Sequence, residues 1–371
     1  MITNLLKLFI IILPIQIILI MLGAGVYLQY PITEPDFFVF FINTISFMIF
    51  LSVSWLLIRK IESESFNNLE FNNIEKFSVL ASFLLLSLFN VLIVSSFDSR
   101  GMLNQIQGQS NLGLIFKISV TFLPAIFTVC VFAFKDSWKI LTIFFIIMGY
   151  VTVINSTNMS TKLPIMSVII AIMYMYSKRL LSMAALQPLL ISAAVLTFFV
   201  YLYRDSQSLL NNQSLIASLY PVFRLPMIYE SSHILDFVAR SGPLSADFLY
   251  VHEAITSDIF KLDSRFTGVA SGFVGLFWAY FGISGLFFGL LFLIILLLGL
   301  RTLMLDGYFT KIKFFLYLVW CFELQSLFID GNLSFITGTN GYLMFYVLFG
   351  ITIFVLILDL FFFDRRSKLG A

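Results

Sequence analysis

Residues 272–300 read GFVGLFWAYFGISGLFFGLLFLIILLLGL and contain no charged side chain. A helix needs about 20 mostly apolar residues to cross the hydrocarbon core of a bilayer, because its backbone polar groups must pair with each other where no water reaches them. This run is longer than one crossing. We therefore expect its first part to lie near the membrane surface, or to enter the bilayer obliquely, before the span itself begins.

Nine further apolar runs are spread along the chain. They lie near residues 6–27, 37–58, 77–96, 112–134, 138–155, 163–177, 183–203, 313–329 and 341–362. Together with 272–300 they predict an all-α polytopic membrane protein of about ten transmembrane helices. The same pattern divides the chain into an N-terminal membrane bundle of about seven spans at 1–203, a polar segment at 204–271, and a C-terminal bundle of about three spans at 272–371.

The composition excludes several classes of protein. Hydrophobic residues make up 60% of the 371 residues and charged residues only 11%, whereas soluble domains carry about 25% charged residues. A cytosolic enzyme is therefore excluded. The net charge of +2 provides no basic field for a nucleic-acid backbone, so no nucleic acid is expected as a partner.

The sequence also lacks the motifs of nucleotide and zinc chemistry. It contains no GxxxxGK[ST] loop, no HExxH and no GxSxG, so nucleotide-driven transport and zinc proteolysis have no support. The chain has two histidines and two cysteines, which are far apart and form no metal-ligand spacing. We therefore expect neither a metal site nor a cofactor.

The distribution of basic residues predicts the orientation. With the N-terminus in the cytoplasm, the cytoplasmic side receives thirteen basic residues: Arg59, Lys60, Lys76, Lys135, Lys139, Lys178, Arg179, Arg301, Lys311, Lys313, Arg365, Arg366 and Lys368. The short external loops receive only Arg100 and Lys162. This asymmetry follows the positive-inside rule and places the segment 204–271 outside the cytoplasm.

The segment 204–271 is richer in charged residues than the apolar runs on either side of it, and it contains both histidines. Its aromatic and apolar content is too high for a flexible linker, so we expect it to fold against the membrane bundle. Within it, Met227 to Arg240 is predicted to be one amphipathic helix with Pro226 at its first turn. Glu230, His233 and Arg240 then share a helix face. That face either binds a polar substrate or forms a solvated, salt-bridged outer surface.

Other cations are predicted near the same side of the membrane. Arg224 comes just before the predicted helix, where backbone donors and a guanidinium favour an anion such as phosphate. Lys162 begins a short span, where it could contact a substrate phosphate or a lipid phosphate. Glu323 falls at mid-depth within a predicted span, where an ionisable group indicates a cavity or a paired charge.

The glycine-punctuated stretch after the external segment resembles the O-antigen polymerase family, the Wzy-type polymerases of oligosaccharide repeat units. That family carries a pattern of the form G…(Y/F)xxFGxxGxxxG, and Phe281, Gly282, Gly285 and Gly289 match its FGxxGxxxG part. The arginine ahead of a loop helix and the basic residue before a span, Arg224 and Lys162 here, are also similar to the family. A glycine pattern of this kind equally suits close helix packing.

The resemblance implies a GT-C-type membrane glycosyltransferase on the periplasmic face of a bacterial inner membrane. Undecaprenyl-pyrophosphate-linked glycans would be donor and acceptor, with membrane lipids, a chain-length regulator and a flippase as further partners. A sugar hydroxyl needs a base and the departing pyrophosphate needs cations. Candidate bases are His233 or Glu230, with His252 and Glu253 behind them. Candidate pyrophosphate ligands are Arg224, Arg204, Lys162, Arg240 and Arg265.

Two other functions fit the same sequence pattern. An O-antigen ligase would transfer the glycan onto a lipid A core, and a transporter would move a lipid-linked sugar. A transporter is expected to line its spans with buried charges, whereas this chain concentrates charge in one external segment. The charge distribution therefore favours an enzyme, and the resemblance implies one that polymerises lipid-linked repeat units.

Overall fold

The computed structural model describes residues 1–21, 36–67, 69–95, 111–159, 163–204, 228–245, 254–262, 271–330 and 339–369. Over these residues the chain forms helices and turns, with no strand. The α-helices are α1 (Ile2–Met21), α2 (Phe37–Glu64), α3 (Asn73–Ser95), α4 (Asn111–Ala133), α5 (Trp138–Met159), α6 (Leu163–Ser177), α7 (Met183–Arg204), α8 (Ile228–Ser241), α9 (Gly272–Phe281), α10 (Gly285–Leu303), α11 (Thr310–Asp330) and α12 (Thr339–Leu369).

The helices have the length and composition of a polytopic membrane protein. Five described segments are long and apolar enough to cross a membrane: Ile2–Met21, Phe37–Glu62, Asn73–Ser95, Trp138–Asn155 and Gly272–Leu303. Large apolar side chains such as Ile18, Phe77 and Phe287 point outward and are exposed. An apolar outer surface of this extent is costly in water and is suited to contact with lipid.

The helix ends that are predicted to be cytoplasmic meet around Glu62, at the end of α2. Its carboxylate accepts hydrogen bonds from the Thr3 backbone N–H at 2.8 Å and the Tyr317 hydroxyl at 2.6 Å. The Lys178 ammonium, just after α6, donates to the Glu62 carbonyl at 2.9 Å. These contacts join α1, α2, α6 and α11 at one end of the bundle.

The long run at 272–300 forms two helices rather than one, α9 and α10. The placement of its first part near the membrane surface, or obliquely in the bilayer, stays a prediction. Between α9 and α10 lies a 3₁₀ turn, Gly282–Ser284, which begins at a φ of +61° at Gly282. L-residues rarely adopt this conformation, whereas glycine does so without steric cost. Gly285 then packs so closely on α9 that an added Cβ would lie 2.3 Å from the Phe277 carbonyl oxygen.

We expect Gly285→Ala to destabilise the protein strongly, by more than about 2 kcal/mol, because the new methyl group meets backbone rather than a mobile side chain. Gly299→Ala, in the same helix, is the matched control, since an added Cβ there meets nothing within 4 Å. Alanine at that position is expected to be neutral or stabilising by about 0.5–1 kcal/mol. Thermal midpoints of the two purified variants check this, and equal midpoints would contradict the close packing of α9 and α10.

Candidate functional site

The amphipathic helix predicted at Met227 to Arg240 is confirmed as α8, Ile228–Ser241. It packs against α2 and α9 and against a five-residue π-helical turn, Ile255–Ile259. Its first nine residues are all buried, and its last three are exposed. The segment 204–271 thus contributes a helix that packs into the bundle, as expected from its aromatic and apolar content.

Asn43 of α2 fixes the start of α8. Its side-chain nitrogen lies 3.0 Å from the Ile228 carbonyl oxygen, 2.6 Å from Ser231 Oγ and 3.1 Å from Ser232 Oγ. Its carbonyl oxygen accepts a hydrogen bond from Trp278 Nε1 of α9 at 3.3 Å. One buried amide therefore joins three helices, and its geometry sets the position of the first turn of α8.

The contact between α8 and α9 depends on a glycine. An added Cβ at Gly275 would lie 2.9 Å from the Cβ of Ser231 and 3.1 Å from its Cα. Beyond α8, the Leu244 backbone N–H donates to the Ala279 carbonyl at 2.9 Å. The two helices are therefore held in contact from the first turn of α8 to the chain that follows it.

Glu230 and His233 lie one turn apart on α8 and are both buried, with exposed fractions of 0% and 4%. The imidazole of His233 makes edge contacts with Tyr229, at 4.5 Å between ring centroids, and with Phe260, at 5.9 Å. Burial lowers the pKa of His233 from 6.5 to about 4. At neutral pH the imidazole is therefore uncharged and can accept a proton, but burial disfavours the resulting cation.

Because His233 is buried as a neutral imidazole, the protein is expected to become less stable as the pH falls. The unfolded chain binds more protons than the folded chain between about pH 6.5 and 4, so stability is complete above this window and is lost as the pH falls through it. The full loss is about 3 kcal/mol. We expect the thermal midpoint of wild-type protein to fall more steeply between these pH values than that of His233→Gln. Parallel curves would contradict the burial of a neutral imidazole.

Arg240 lies away from the two buried side chains. Its guanidinium is 63% exposed and pairs with Asp236 at 2.8 Å. Seven residues separate it from His233, which corresponds to about 10 Å along the helix axis. The solvated, salt-bridged alternative therefore holds for the end of this helix face at Arg240, whereas its beginning at Glu230 and His233 is buried. Substrate binding by this face stays a prediction.

The structure does not place the other predicted site residues relative to Glu230 and His233. Arg204 is the last residue of α7, and its side chain lies outside the described part of the chain. The remaining predicted residues also fall outside the described residues: Lys162, Arg224, His252, Glu253 and Arg265. Their roles stay predictions from the sequence. Glu323, predicted at mid-depth, is a buried residue of α11.

Sequence reasoning missed Asn43, Trp278 and Gly275, which position the site. The available signal was Asn43 itself, a polar amide within the apolar run 37–58, since such residues often form hydrogen bonds between helices. No pattern in the sequence indicates that its partners lie 185 or more positions away.

The arrangement suits acid–base chemistry by side chains. Glu230 and His233 provide a buried carboxyl group and a neutral imidazole one turn apart, and buried ionisable groups of this kind are common at catalytic sites. Among the described residues no group of three or more His, Cys, Asp or Glu side chains is placed to hold a metal ion.

The chain matches no protein-family model, and comparisons with curated proteins and with solved structures give no significant match. The resemblance to the O-antigen polymerases therefore depends on the residues of the sequence alone.

Proposed function

We propose that the protein is a membrane glycosyltransferase that joins undecaprenyl-pyrophosphate-linked oligosaccharide repeat units into a polysaccharide on the periplasmic face of a bacterial inner membrane. About ten spans form the GT-C-like scaffold. The observation that carries the proposal is the burial of Glu230 and His233, on a helix of the external segment, within a bundle that has lipid-facing helices. A lipid-anchored substrate needs a polar reactive site beside such a bundle.

The proposed reaction is a displacement at the anomeric carbon of the donor sugar. An acceptor hydroxyl oxygen forms a bond to that carbon, the bond from carbon to the pyrophosphate oxygen breaks, and the electron pair leaves with undecaprenyl pyrophosphate. The hydroxyl proton passes to a base of the protein. The energy comes from the pyrophosphate linkage, so the reaction requires no nucleotide.

Glu230 is the better of the two candidate bases. Proton transfer to a carboxylate removes a charge from the enclosed site, whereas transfer to His233 creates an imidazolium between Tyr229 and Phe260. The pKa of His233, about 4, expresses the cost of that cation. A carboxylate also stabilises the positive character that a sugar ring develops in such reactions.

Cations are required for the leaving pyrophosphate, whose negative charge grows as the bond breaks. We assign this role to Arg224 first, with Arg204, Lys162 and Arg265 as helpers. Arg240 is the weakest of the predicted ligands, because its guanidinium pairs with Asp236 at the exposed end of α8.

Purified protein in lipid nanodiscs, supplied only with lipid-linked repeat units, tests the proposal. A ladder of glycans that differ by one repeat unit is the expected product. Transfer only to an added lipid A core would indicate an O-antigen ligase instead. Movement of the lipid-linked sugar across the bilayer without a new glycosidic bond would indicate a transporter, and either result would overturn the polymerase.

We expect Arg224→Ala to abolish the ladder and Arg224→Lys to restore little of it, because an ammonium lacks the planar pair of donors that a guanidinium offers to phosphate. Arg301→Gln removes an exposed arginine at the other end of the bundle and serves as the control. Glycans of wild-type length from Arg224→Ala would remove this residue from the site.

A further inference from the structure

A polar cavity lies at the end of the bundle away from α8. It has a volume of about 420 Å³ and lies between the turns that follow α2, α4 and α6. Its lining includes Lys135, Lys178 and Arg179, together with the aromatic rings of Phe66 and Phe132. Among the described residues that line it, none is acidic. The cavity therefore combines three cationic side chains with an apolar wall.

The backbone around the cavity is held in place by Lys178. Its ammonium donates to the Ser65 carbonyl at 2.5 Å and to Asn67 Oδ1 at 2.9 Å, which fixes the turn after α2 against the turn after α6. Arg179, the next residue, has a φ of +58°. Lys135 and Arg179 are exposed, so their charged groups are available to a ligand while Lys178 organises the cavity.

The ligand that fits this cavity is a phosphate group. Guanidinium and ammonium groups bind phosphate oxygens with short, charge-assisted hydrogen bonds, and a guanidinium can do so through two parallel bonds. The cavity lies at the end of the bundle where the chain carries its excess of basic residues, and basic pockets at this depth of a membrane protein suit anionic lipid headgroups. The rings of Phe66 and Phe132 offer contacts to the carbon atoms that adjoin such a headgroup.

We propose that this cavity binds a phosphate group on the cytoplasmic side, carried either by an anionic phospholipid or by free phosphate. The site is independent of the proposed glycosyltransferase site, because α8 packs near the first turns of α2 whereas the cavity adjoins the other end of that helix. Its occupation ties the turns after α2, α4 and α6 together and stabilises the folded bundle.

Binding of two probes by the full-length protein in detergent tests the proposal. The probes are inorganic phosphate and dioleoyl phosphatidylglycerol, with dioleoyl phosphatidylcholine as the neutral comparison. Native mass spectrometry counts bound lipid, and the thermal midpoint reports binding of either probe. We expect one bound phosphatidylglycerol and a raised midpoint in wild-type protein, with weaker binding at high salt.

The variants are Lys135→Gln, the double variant Lys135→Gln/Arg179→Gln, and Lys139→Gln as the matched control. All three positions are exposed, so no buried packing changes. We expect at least a tenfold loss of affinity in the double variant, a smaller loss in Lys135→Gln, and affinity within twofold of wild type in Lys139→Gln.

The two probes distinguish the source of the phosphate. Binding of inorganic phosphate that depends on Lys135 and Arg179 identifies free phosphate as sufficient, whereas binding of phosphatidylglycerol alone identifies the lipid headgroup. Absence of binding by both probes would overturn the proposal. Equal binding by the double variant and Lys139→Gln would also overturn it, because the attraction would then be a general property of the basic surface.

Discussion

Replacing Glu230 with glutamine is expected to lower the rate of glycan polymerisation by at least about 100-fold while leaving the protein folded. Glutamine keeps the size of the side chain and can still form hydrogen bonds, but it cannot take the proton of the acceptor hydroxyl. General-base catalysis typically contributes about 10² to 10⁴ in rate. The measurement is the initial rate of ladder formation by purified protein with lipid-linked repeat units.

The matched control is Glu75→Gln, at the other end of the bundle. Glu75 caps the start of α3 with Asn72 and pairs with Lys311 at 2.6 Å. A partly exposed pair of this kind contributes about 0–1 kcal/mol, so this variant should polymerise at nearly the wild-type rate. A Glu230→Gln variant with wild-type rate and wild-type thermal midpoint would remove Glu230 from the reaction.

Replacing Asn43 with alanine is expected to release α8 from the bundle and to lower both stability and activity. The change removes the partner of the buried Trp278 Nε1 and every contact of the amide with the first turn of α8. Loss of buried hydrogen bonds that leaves a donor unsatisfied costs about 1–3 kcal/mol for each such group. We expect a loss of about 2–4 kcal/mol and a polymerisation rate reduced at least tenfold.

Hydrogen exchange of the peptide that covers α8 separates local release from general unfolding. Its amides should exchange slowly in wild-type protein and fast in Asn43→Ala, while the peptides of α3 and α5 remain unchanged. Thr44→Val is the control, since the Thr44 hydroxyl bonds only the Phe40 carbonyl of its own helix among the contacts described, at 2.9 Å. Slow exchange of α8 in Asn43→Ala would show that the amide does not hold it.

The sequence predicts much of the helical fold because a membrane helix must be apolar over a length that the bilayer fixes. The predicted start of the second run, residue 37, is also the first residue of α2. Its end was predicted at 58, whereas α2 continues to Glu64. The end of α2 contains Arg59, Lys60 and Glu62. Their charge excluded them from the predicted apolar run, but their backbone remains helical.

The burial of the candidate site could not be predicted from the sequence. Helical spacing correctly placed Glu230 and His233 on adjacent turns of α8, but spacing gives the position of a side chain around one helix and not what covers it. Phe260 contacts the His233 ring, and Asn43, which Trp278 contacts in turn, holds the first turn of α8 in place; all three are distant in sequence from the two side chains or from α8. Contacts of this range are determined by the packing of the whole bundle.

The glycines on which the resemblance depends have structural roles in the fold. Gly282 takes a left-handed conformation between α9 and α10, and Gly285 allows close backbone approach to Phe277. These glycines determine how α9 meets α10, and Gly275 determines how α9 meets α8. The pattern therefore belongs to the scaffold, and the chemistry must be tested at Glu230 and at the arginines.

Photo-cross-linking from α8 shows whether a lipid-linked glycan binds beside Glu230 and His233. Phe237 lies one turn beyond His233 and is half-buried, so benzoylphenylalanine at this position keeps an aromatic ring and places a reactive group beside the proposed site. Trp138, exposed at the start of α5 and at the other end of the bundle, is the matched control position. We expect labelled lipid-linked glycan to cross-link at position 237, with unlabelled glycan suppressing the cross-link, and to cross-link little at position 138. Equal cross-linking at both positions, or none at 237 with folded protein, would contradict this expectation.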